Sequence, residues 1–87
     1  MIIAGKIISV GPEQSGTTSN GKSWRKREYV LETEGQYPKK IAFSVMNANI
    51  DKLNLQHGQW YGLEIDIESR QYKEQWYTSI TAWKVNM

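Results

Sequence analysis

Aromatic and basic residues fall together at three places in this chain of 87 residues. One group lies on a strand-like segment, one precedes the following strand, and one brackets a later turn. The groups are Lys22, Trp24, Arg25, Lys26 and Arg27; then Tyr37, Lys39 and Lys40; then Arg70, Tyr72, Lys73, Trp76 and Tyr77. Flat rings stack on bases and cations pair with a charged backbone, so the combination is typical of surfaces that bind single-stranded nucleic acid.

Strand alternation limits how much of the first group can act together. On a regular strand Trp24 and Lys26 share one face while Arg25 and Arg27 share the other, and a bulge or strong twist would be needed to relax this separation. The alternative is structural: Trp24 would close one end of the fold and the cations would be solvated. Tyr37 could likewise belong to an ordinary rigid corner.

The composition restricts the class of protein. A single domain of this length buries one modest core. The chain has no cysteine and one histidine, His57, which excludes disulfide frameworks, thiolate metal sites and histidine clusters. Its start lacks the pattern of a signal peptide, and no apolar run approaches the roughly 18 residues that span a bilayer. We therefore expect a cytoplasmic protein without a membrane partner.

The distribution of charge is more informative than the formal net charge of +2. Residues 22–40 contain six Lys or Arg and three Glu, whereas residues 64–68 contain three acids and no base, which predicts one basic and one acidic side. The three acids, Glu64, Asp66 and Glu68, alternate along one strand face about 7 Å apart, and no partner completes a metal or acid–base site. No nucleophile–base pair or phosphate loop occurs either, so we predict no enzyme activity, no metal and no cofactor.

Five segments have the patterns of strands and one has that of a helix. The predicted strands are 2–10, 24–33, 41–45, 59–68 and 76–85, and the predicted helix is 46–55, with Asn47 or Asn49 as its cap. Gly11-Pro12 ends the first strand, residues 13–22 have the composition of a flexible loop, and residues 69–75 read as a polar turn.

Three strands, one helix and two strands is the element order of the OB-fold, a five-stranded Greek-key barrel. Its ligand surface is built from strands two and three with the loops that join strands one to two and four to five. Here those loops are 11–22 and 69–75, and the aromatic and basic groups fall on these elements. We therefore predict one all-β OB-fold domain over residues 1–87, with the short helix between strands three and four. An SH3-like barrel is the structural alternative.

Two tryptophans lie outside the three groups. Trp83 shares a strand face with Tyr77 and Val85, so we expect Trp83 to pack in or over the barrel, and Tyr77 could belong to the core. We also expect a structural role for Trp60, which lies beside the acidic face of its strand, a face that a phosphate-bearing ligand would avoid. An exposed Trp60 would instead indicate a protein interface, because tryptophan is enriched in binding hot spots.

Distinctive strings run through nearly the whole chain. They are PEQSG at 12–16, WRK at 24–26, EYVLET at 28–33, QYPKK at 36–40, FSV at 43–45, DIESR at 66–70, WYT at 76–78 and AWK at 82–84. Together they resemble a small bacterial domain-of-unknown-function family found largely in Bacteroidetes and their phages. The resemblance implies an OB-fold similar to bacterial single-stranded-DNA-binding and primosomal replication proteins, and it brings no established activity.

We expect binding of single-stranded DNA with little sequence preference, and RNA is equally compatible with this chemistry. The residues expected to capture the backbone are Lys22, Arg25, Lys26, Arg27, Lys39, Lys40, Arg70 and Lys73. Those expected to stack on bases are Trp24, Tyr37, Tyr72 and Trp76. The setting would be replication, recombination or repair, with a protein partner from that machinery and a homodimer or homotetramer that multiplies the sites. The alternatives are a protein-interaction module that binds no nucleic acid, and an oligosaccharide-binding module that needs no cations.

Overall fold

Five strands and one short helix make up the fold in a computed structural model that describes residues 1–86. The elements are β1 (Ile2–Thr17), β2 (Ser23–Glu32), β3 (Lys40–Met46), α1 (Ala48–Leu53), β4 (Trp60–Tyr72) and β5 (Gln75–Val85). The strands close into a barrel in the order β1-β2-β3-β5-β4. Neighbours are antiparallel except β3 and β5, which meet in parallel at Ser44 and Thr81. The predicted OB-fold, with its helix between β3 and β4, is confirmed.

Apolar side chains from every strand fill the barrel, because alternation turns every second residue inward. The core residues are Ile7, Tyr29, Leu31, Phe43, Val45, Ile50, Leu55, Leu63, Ile65 and Ala82. The rings of Tyr29 and Phe43 stack with centroids 5.5 Å apart. Full burial of one such aliphatic side chain contributes about 1.5–3 kcal/mol, so this set supplies the main stabilisation of the fold.

β1 continues beyond the predicted stop at Gly11-Pro12. The strand bends at two register shifts against β2, and the second lies between Val10 and Glu13. A bulge leaves residues outside the hydrogen-bonded ladder, so it accommodates a proline that has no N–H to donate. Residues 13–17, predicted as loop, therefore pair with residues 23–27 of β2. We call this pair of segments the β1–β2 arm.

β4 and β5 also extend beyond the predicted turn. The segment predicted as a turn at 69–75 is mostly strand, and the turn itself is Lys73-Glu74, with φ of 49° and 67°. Tight hairpins take left-handed backbone at both central positions, which Asn-Gly usually provides, so the sequence lacked the usual signal. Residues 66–79 are all exposed. We call residues 66–81 the β4–β5 arm.

α1 is shorter than the predicted helix over 46–55, and the side chain of Asn47 does not cap it. The Asn47 Oδ1 accepts a hydrogen bond from the Arg25 backbone N–H at 3.0 Å instead, which ties the start of α1 to β2. Asn54 in the left-handed conformation ends the helix. The part of the chain that the structure describes contains no helix long and apolar enough to cross a membrane.

Candidate nucleic-acid interface

An open groove of about 220 Å³ runs between β2 and the β4–β5 arm, with β3 beneath it. Its lining is Lys26, Glu28, Ala42, Phe43, Ser44, Thr78, Ser79 and Ile80. Ala42 and Ser44 alternate with the buried Phe43 and Val45, which places them on the outer face of the barrel. The groove thus lies on the β2–β3 face that OB-folds use for ligands.

The β2 wall of the groove carries an accessible cation. The Lys26 Nζ lies 3.3 Å from the Glu28 Oε1, and both side chains are partly exposed. Ion pairs in such positions contribute about 0–1 kcal/mol, so exchanging the carboxylate for a phosphate costs little. The Lys26 ammonium is therefore accessible on the groove wall, and its role in capturing a phosphate stays a prediction.

Trp24 packs against Gly16 of the β1–β2 arm and is still partly exposed on the outer face of β2. It pairs with Gly16 across the β1–β2 arm, and its indole fills the space that a Cβ on Gly16 would occupy, within 2.7–3.0 Å. The side chain is half-buried and shares the outer face of β2 with Lys26. Lys22 lies exposed next to the turn of this arm, where its backbone N–H donates to the Thr18 Oγ1 at 3.2 Å.

Several acceptors hold the partly exposed guanidinium of Arg25 in place. Its Nη2 donates to the Asp51 Oδ2 at 2.8 Å and to the Asn47 carbonyl at 3.2 Å, while its Nη1 lies 3.7 Å from the Glu13 Oε1. The hydrogen bond to Asp51 is the main reason that the pKa of Arg25 is raised. These contacts join β1, β2 and α1, so the guanidinium predicted to capture a phosphate has a structural role.

Arg27 follows on the same inner side of β2, opposite to Lys26. Its Nε is buried and has no hydrogen-bond partner among the described residues. It lies near Tyr29, whose pKa is raised by burial and partly lowered again by Arg27. The first predicted group is therefore divided, with Trp24 and Lys26 on the outer face and both arginines on the inner face.

The second predicted group lies at the far end of the same sheet. Lys26 pairs with Met46, whereas Lys40 pairs with Glu32, which is about 20 Å further along β2 at the usual rise per residue. Tyr37 and Lys39 lie exposed in the loop before β3. These cations and Tyr37 do not meet Lys26 but lie beyond the other end of the groove.

The third predicted group is divided between the two faces of the β4–β5 arm. Its register pairs Gln71 with Trp76 and Ile67 with Ile80 on one side, which we call the groove face: Ile67, Ser69, Gln71, Trp76, Thr78 and Ile80. The other side, which we call the charged face, contains Asp66, Glu68, Arg70, Tyr72, Gln75, Tyr77, Ser79 and Thr81. Of the predicted arm residues, Trp76 alone extends the wall that Thr78 and Ile80 form.

Sequence reasoning missed the floor and the far wall of the groove. Ala42, Ser44, Thr78 and Ile80 have no distinctive chemistry, and they become neighbours because β3 lies beside β5. The OB-fold strand order carried part of this information, since it sets β5 next to β3. The strand register, which the order does not give, was needed to select the residues.

Three aromatic residues for which the sequence indicated a structural role are exposed. Trp83 occupies the register shift between β5 and β4 and is 44% exposed, because a bulge turns its extra residue out of the ladder. Tyr77 is 53% exposed on the charged face and is not part of the core. Trp60 is 54% exposed, opposite Lys6 on the β1–β4 face.

The three alternating acids of β4 lie partly on the barrel and partly on the β4–β5 arm. Glu64 lies on the barrel, 3.6 Å from the amino group of Met1, whereas Asp66 and Glu68 lie on the charged face of the arm. Among residues 1–86, no three His, Asp or Glu side chains come together as a metal site requires.

The fold and groove define an OB barrel with an open ligand face between β2–β3 and a long β4–β5 hairpin. Residues 2–86 match the family described as "Domain of unknown function (DUF3127)", and the chain belongs to that family. The fold is similar to the crystal structure of an SSB domain from Synechococcus sp., with a TM-score of 0.65 and 16% sequence identity over 98% of this chain and 90% of that chain. The comparison with curated proteins gave no match.

Proposed function

We propose that this protein binds single-stranded DNA with little sequence preference in the groove between β2–β3 and the β4–β5 arm. The observation that carries the proposal is a groove with the accessible Lys26 on one wall and, on the opposite wall, residues that lead to the exposed Trp76. A single strand presents both chemistries at once, since its backbone is charged and its bases are flat. The proposal is of a binding protein without catalytic chemistry.

Electrostatic capture would involve cations at both ends of the groove. Lys22 lies at one end, and Lys39 and Lys40 lie at the other. Each phosphate that a lysine neutralises releases counterions, so the affinity would fall linearly with salt on a logarithmic scale, with a slope of about −0.7 per contact for single strands. The similarity to an SSB domain, whose name abbreviates single-stranded-DNA-binding, supports the same class of ligand.

Fluorescence anisotropy of a labelled oligo-dT of about 30 nucleotides tests this function, because a strand of that length spans the roughly 4–16 nucleotides of an OB site. We expect binding that weakens steeply with salt, and much weaker binding of a duplex of the same length. An RNA oligomer in parallel distinguishes the two nucleic acids. Absence of oligo-dT binding at low salt would overturn the proposal.

The double variant Trp24→Ala, Lys26→Ala locates the site on β2. Its matched control is Lys52→Ala, Lys84→Ala, which removes two exposed lysines from α1 and from the β5 segment beside Glu64, outside the groove. We expect the first variant to lose most of the affinity and the control to retain it. Equal losses would show that binding follows net charge alone.

The biological setting that fits this ligand is replication, recombination or repair, in a bacterium or a phage. Assembly into a homodimer or homotetramer would multiply the sites on each particle and raise the avidity. Light scattering at micromolar concentration tests the assembly, and a monomeric mass would contradict it.

The exposed Trp60 supports a second candidate function, a protein-interaction module. It lies on the outer face of β1–β4, opposite Lys6 and away from the groove. Binding there would depend little on salt and would be lost in Trp60→Ala. Such a partner site is compatible with DNA binding, but it would be the main function if oligo-dT does not bind.

A further inference from the structure

The two faces of the β4–β5 arm differ in charge. Two of the three arm residues that line the groove, Thr78 and Ile80, belong to the uncharged groove face, and Ser79 belongs to the charged face. We propose that a bound strand lies with its bases turned toward the groove face of the arm and its phosphates turned toward β2. This orientation rests on the proposed function, and it assigns different chemical tasks to the two walls of one site.

The groove face offers contacts for bases and none for phosphates. All six of its residues are uncharged. The hydroxyls of Ser69 and Thr78 share a hydrogen bond at 3.0 Å, which satisfies both groups within the arm. Ile67 is 52% and Trp76 is 67% exposed, so apolar and aromatic surface lies open beside the groove. Removing that surface from water and stacking on the indole both favour bases over phosphates.

The charged face repels a phosphate backbone. It contains two acids, Asp66 and Glu68, and one base, Arg70, whose Nε donates to the Glu68 Oε1 at 2.6 Å, so acids outnumber bases on this face. A separate groove on this side is lined by Met46, Asp66, Glu68, Arg70, Ser79 and Thr81, so it contains two acids and one base, whereas the first groove contains one of each, Glu28 and Lys26. A nucleic acid is therefore directed to the groove face.

The two tyrosines of the charged face are occupied by their own neighbours. The Lys73 Nζ lies 5.3 Å from the centroid of the Tyr72 ring, a distance suited to a cation–π contact. The Tyr77 hydroxyl donates to the Gln75 Oε1 at 2.8 Å. The sequence nominated Tyr72 and Trp76 together, but the register separates them, and we assign base stacking to Trp76.

The β2 wall completes the orientation. Lys26 reaches the groove from the outer face of β2, and Lys22 lies beside the turn of the β1–β2 arm. The bound nucleic acid would therefore lie with its phosphates toward Lys26 on the β2 side. Its bases would lie toward Trp76 and Ile67 on the arm.

Adjacent residues of β5 provide a matched test. Trp76→Ala removes the ring from the groove face, and Tyr77→Ala removes a ring of similar exposure from the charged face. The probes are oligo-dT and an oligomer of the same length in which every nucleotide is abasic. We expect Trp76→Ala to weaken oligo-dT binding by about 5- to 150-fold, the range that corresponds to loss of one stacked base. It should leave the abasic oligomer unchanged, and Tyr77→Ala should change neither.

Lys26→Ala should weaken both probes and lower the slope of log affinity against log salt by about 0.7–1, because it removes one phosphate contact. Ile67→Ala gives a second variant of the groove face and should weaken oligo-dT alone. Equal losses in Trp76→Ala and Tyr77→Ala, or a loss of abasic binding in Trp76→Ala, would overturn the orientation while the proposed function stands. If the wild-type protein binds neither probe, the proposed function fails and the orientation fails with it.

Discussion

The barrel and the β4–β5 arm are parts of the same two strands with opposite surroundings. Leu63 and Ile65 of β4 are buried, whereas Ile67, two residues further on, is half exposed and every residue from 66 to 79 is accessible to solvent. The barrel is stabilised by apolar burial. The arm is stabilised by its backbone ladder and by surface pairs such as Glu68 with Arg70. This difference separates the residues that stabilise the fold from residues that lie open to solvent within one continuous hairpin.

The separation explains how the arm can carry a large apolar and aromatic surface. A buried tryptophan would be fixed by packing, but the rings of Trp76 and Tyr77 are more than half exposed and contribute little to the core. Substitutions in the barrel should therefore lower the free energy of unfolding, whereas substitutions in the arm should change it little.

The largest expected effect is in the barrel. Leu63→Ala should reduce the free energy of unfolding by about 2–5 kcal/mol, because the side chain is fully buried and leaves a cavity. Urea unfolding followed by tryptophan fluorescence measures the change. The control is Ile67→Ala on the same strand, with an expected loss below about 1 kcal/mol. Equal losses would show that the arm is part of the cooperative core.

A smaller loss of stability is expected from a substitution at Gly5, where the backbone of β1 lies close to Glu32 of β2. A Cβ on Gly5 would overlap the carbonyl oxygen of Glu32 and lie 2.7 Å from a methyl carbon of Leu31. Gly5→Ala should therefore cost about 1–3 kcal/mol in thermal unfolding, as overpacking does. Ala4→Ser at the adjacent exposed position is the control. An unchanged melting temperature in Gly5→Ala would show that the strands can separate there without loss.

A substitution in the turn of the β4–β5 arm should increase stability instead of lowering it. Lys73 and Glu74 both have left-handed backbone, which costs a side-chain-bearing residue roughly 1–2 kcal/mol. Replacing them with Asn-Gly should stabilise the arm by about 1 kcal/mol. Hydrogen exchange should show slower exchange of the arm amides and unchanged exchange in the barrel. Slower exchange in both regions would mean that the arm and the barrel open together.

The smallest effect is a dependence on pH. Burial raises the pKa of Tyr29 above its ordinary value of 10.0, so the unfolded chain loses this proton at a lower pH than the folded chain. Stability should therefore fall as the pH rises through about 10 and toward the folded pKa. Urea unfolding of Tyr29→Phe at about pH 9 and 11 should show a smaller fall than the wild-type protein. An identical fall would assign the effect to other groups.

The barrel could be predicted from the sequence because its strands alternate between buried and exposed residues. Leu63 and Ile65 follow this pattern, and so do Phe43 and Val45. The lengths of the arms could not be predicted, because an exposed hairpin needs no apolar alternation. Its composition resembles that of a loop, and Gly11-Pro12 stood where β1 bulges instead of ending.

The residue types of the candidate site were visible in the sequence, but their directions were not. Lys26 and Arg25 are adjacent on β2, so their side chains point to opposite faces of the strand. The contact of Arg25 with Asp51 joins residues that are 26 positions apart in the sequence. Trp76 and Tyr72 looked equivalent because both flank the turn, and the pairing of Gln71 with Trp76 distinguishes them. The direction of each side chain depends on the long-range strand register, which short sequence patterns do not encode.

The two-residue turn at Lys73-Glu74 makes the length of the arm a quantity that changes in discrete steps. One residue added to each strand would rotate Trp76 onto the opposite side, since strand side chains alternate. Two residues added to each strand would restore its direction and lengthen the hairpin by about 6.6 Å. Residues added between the barrel and Trp76 should therefore preserve the direction of the indole only in units of four, two in each strand.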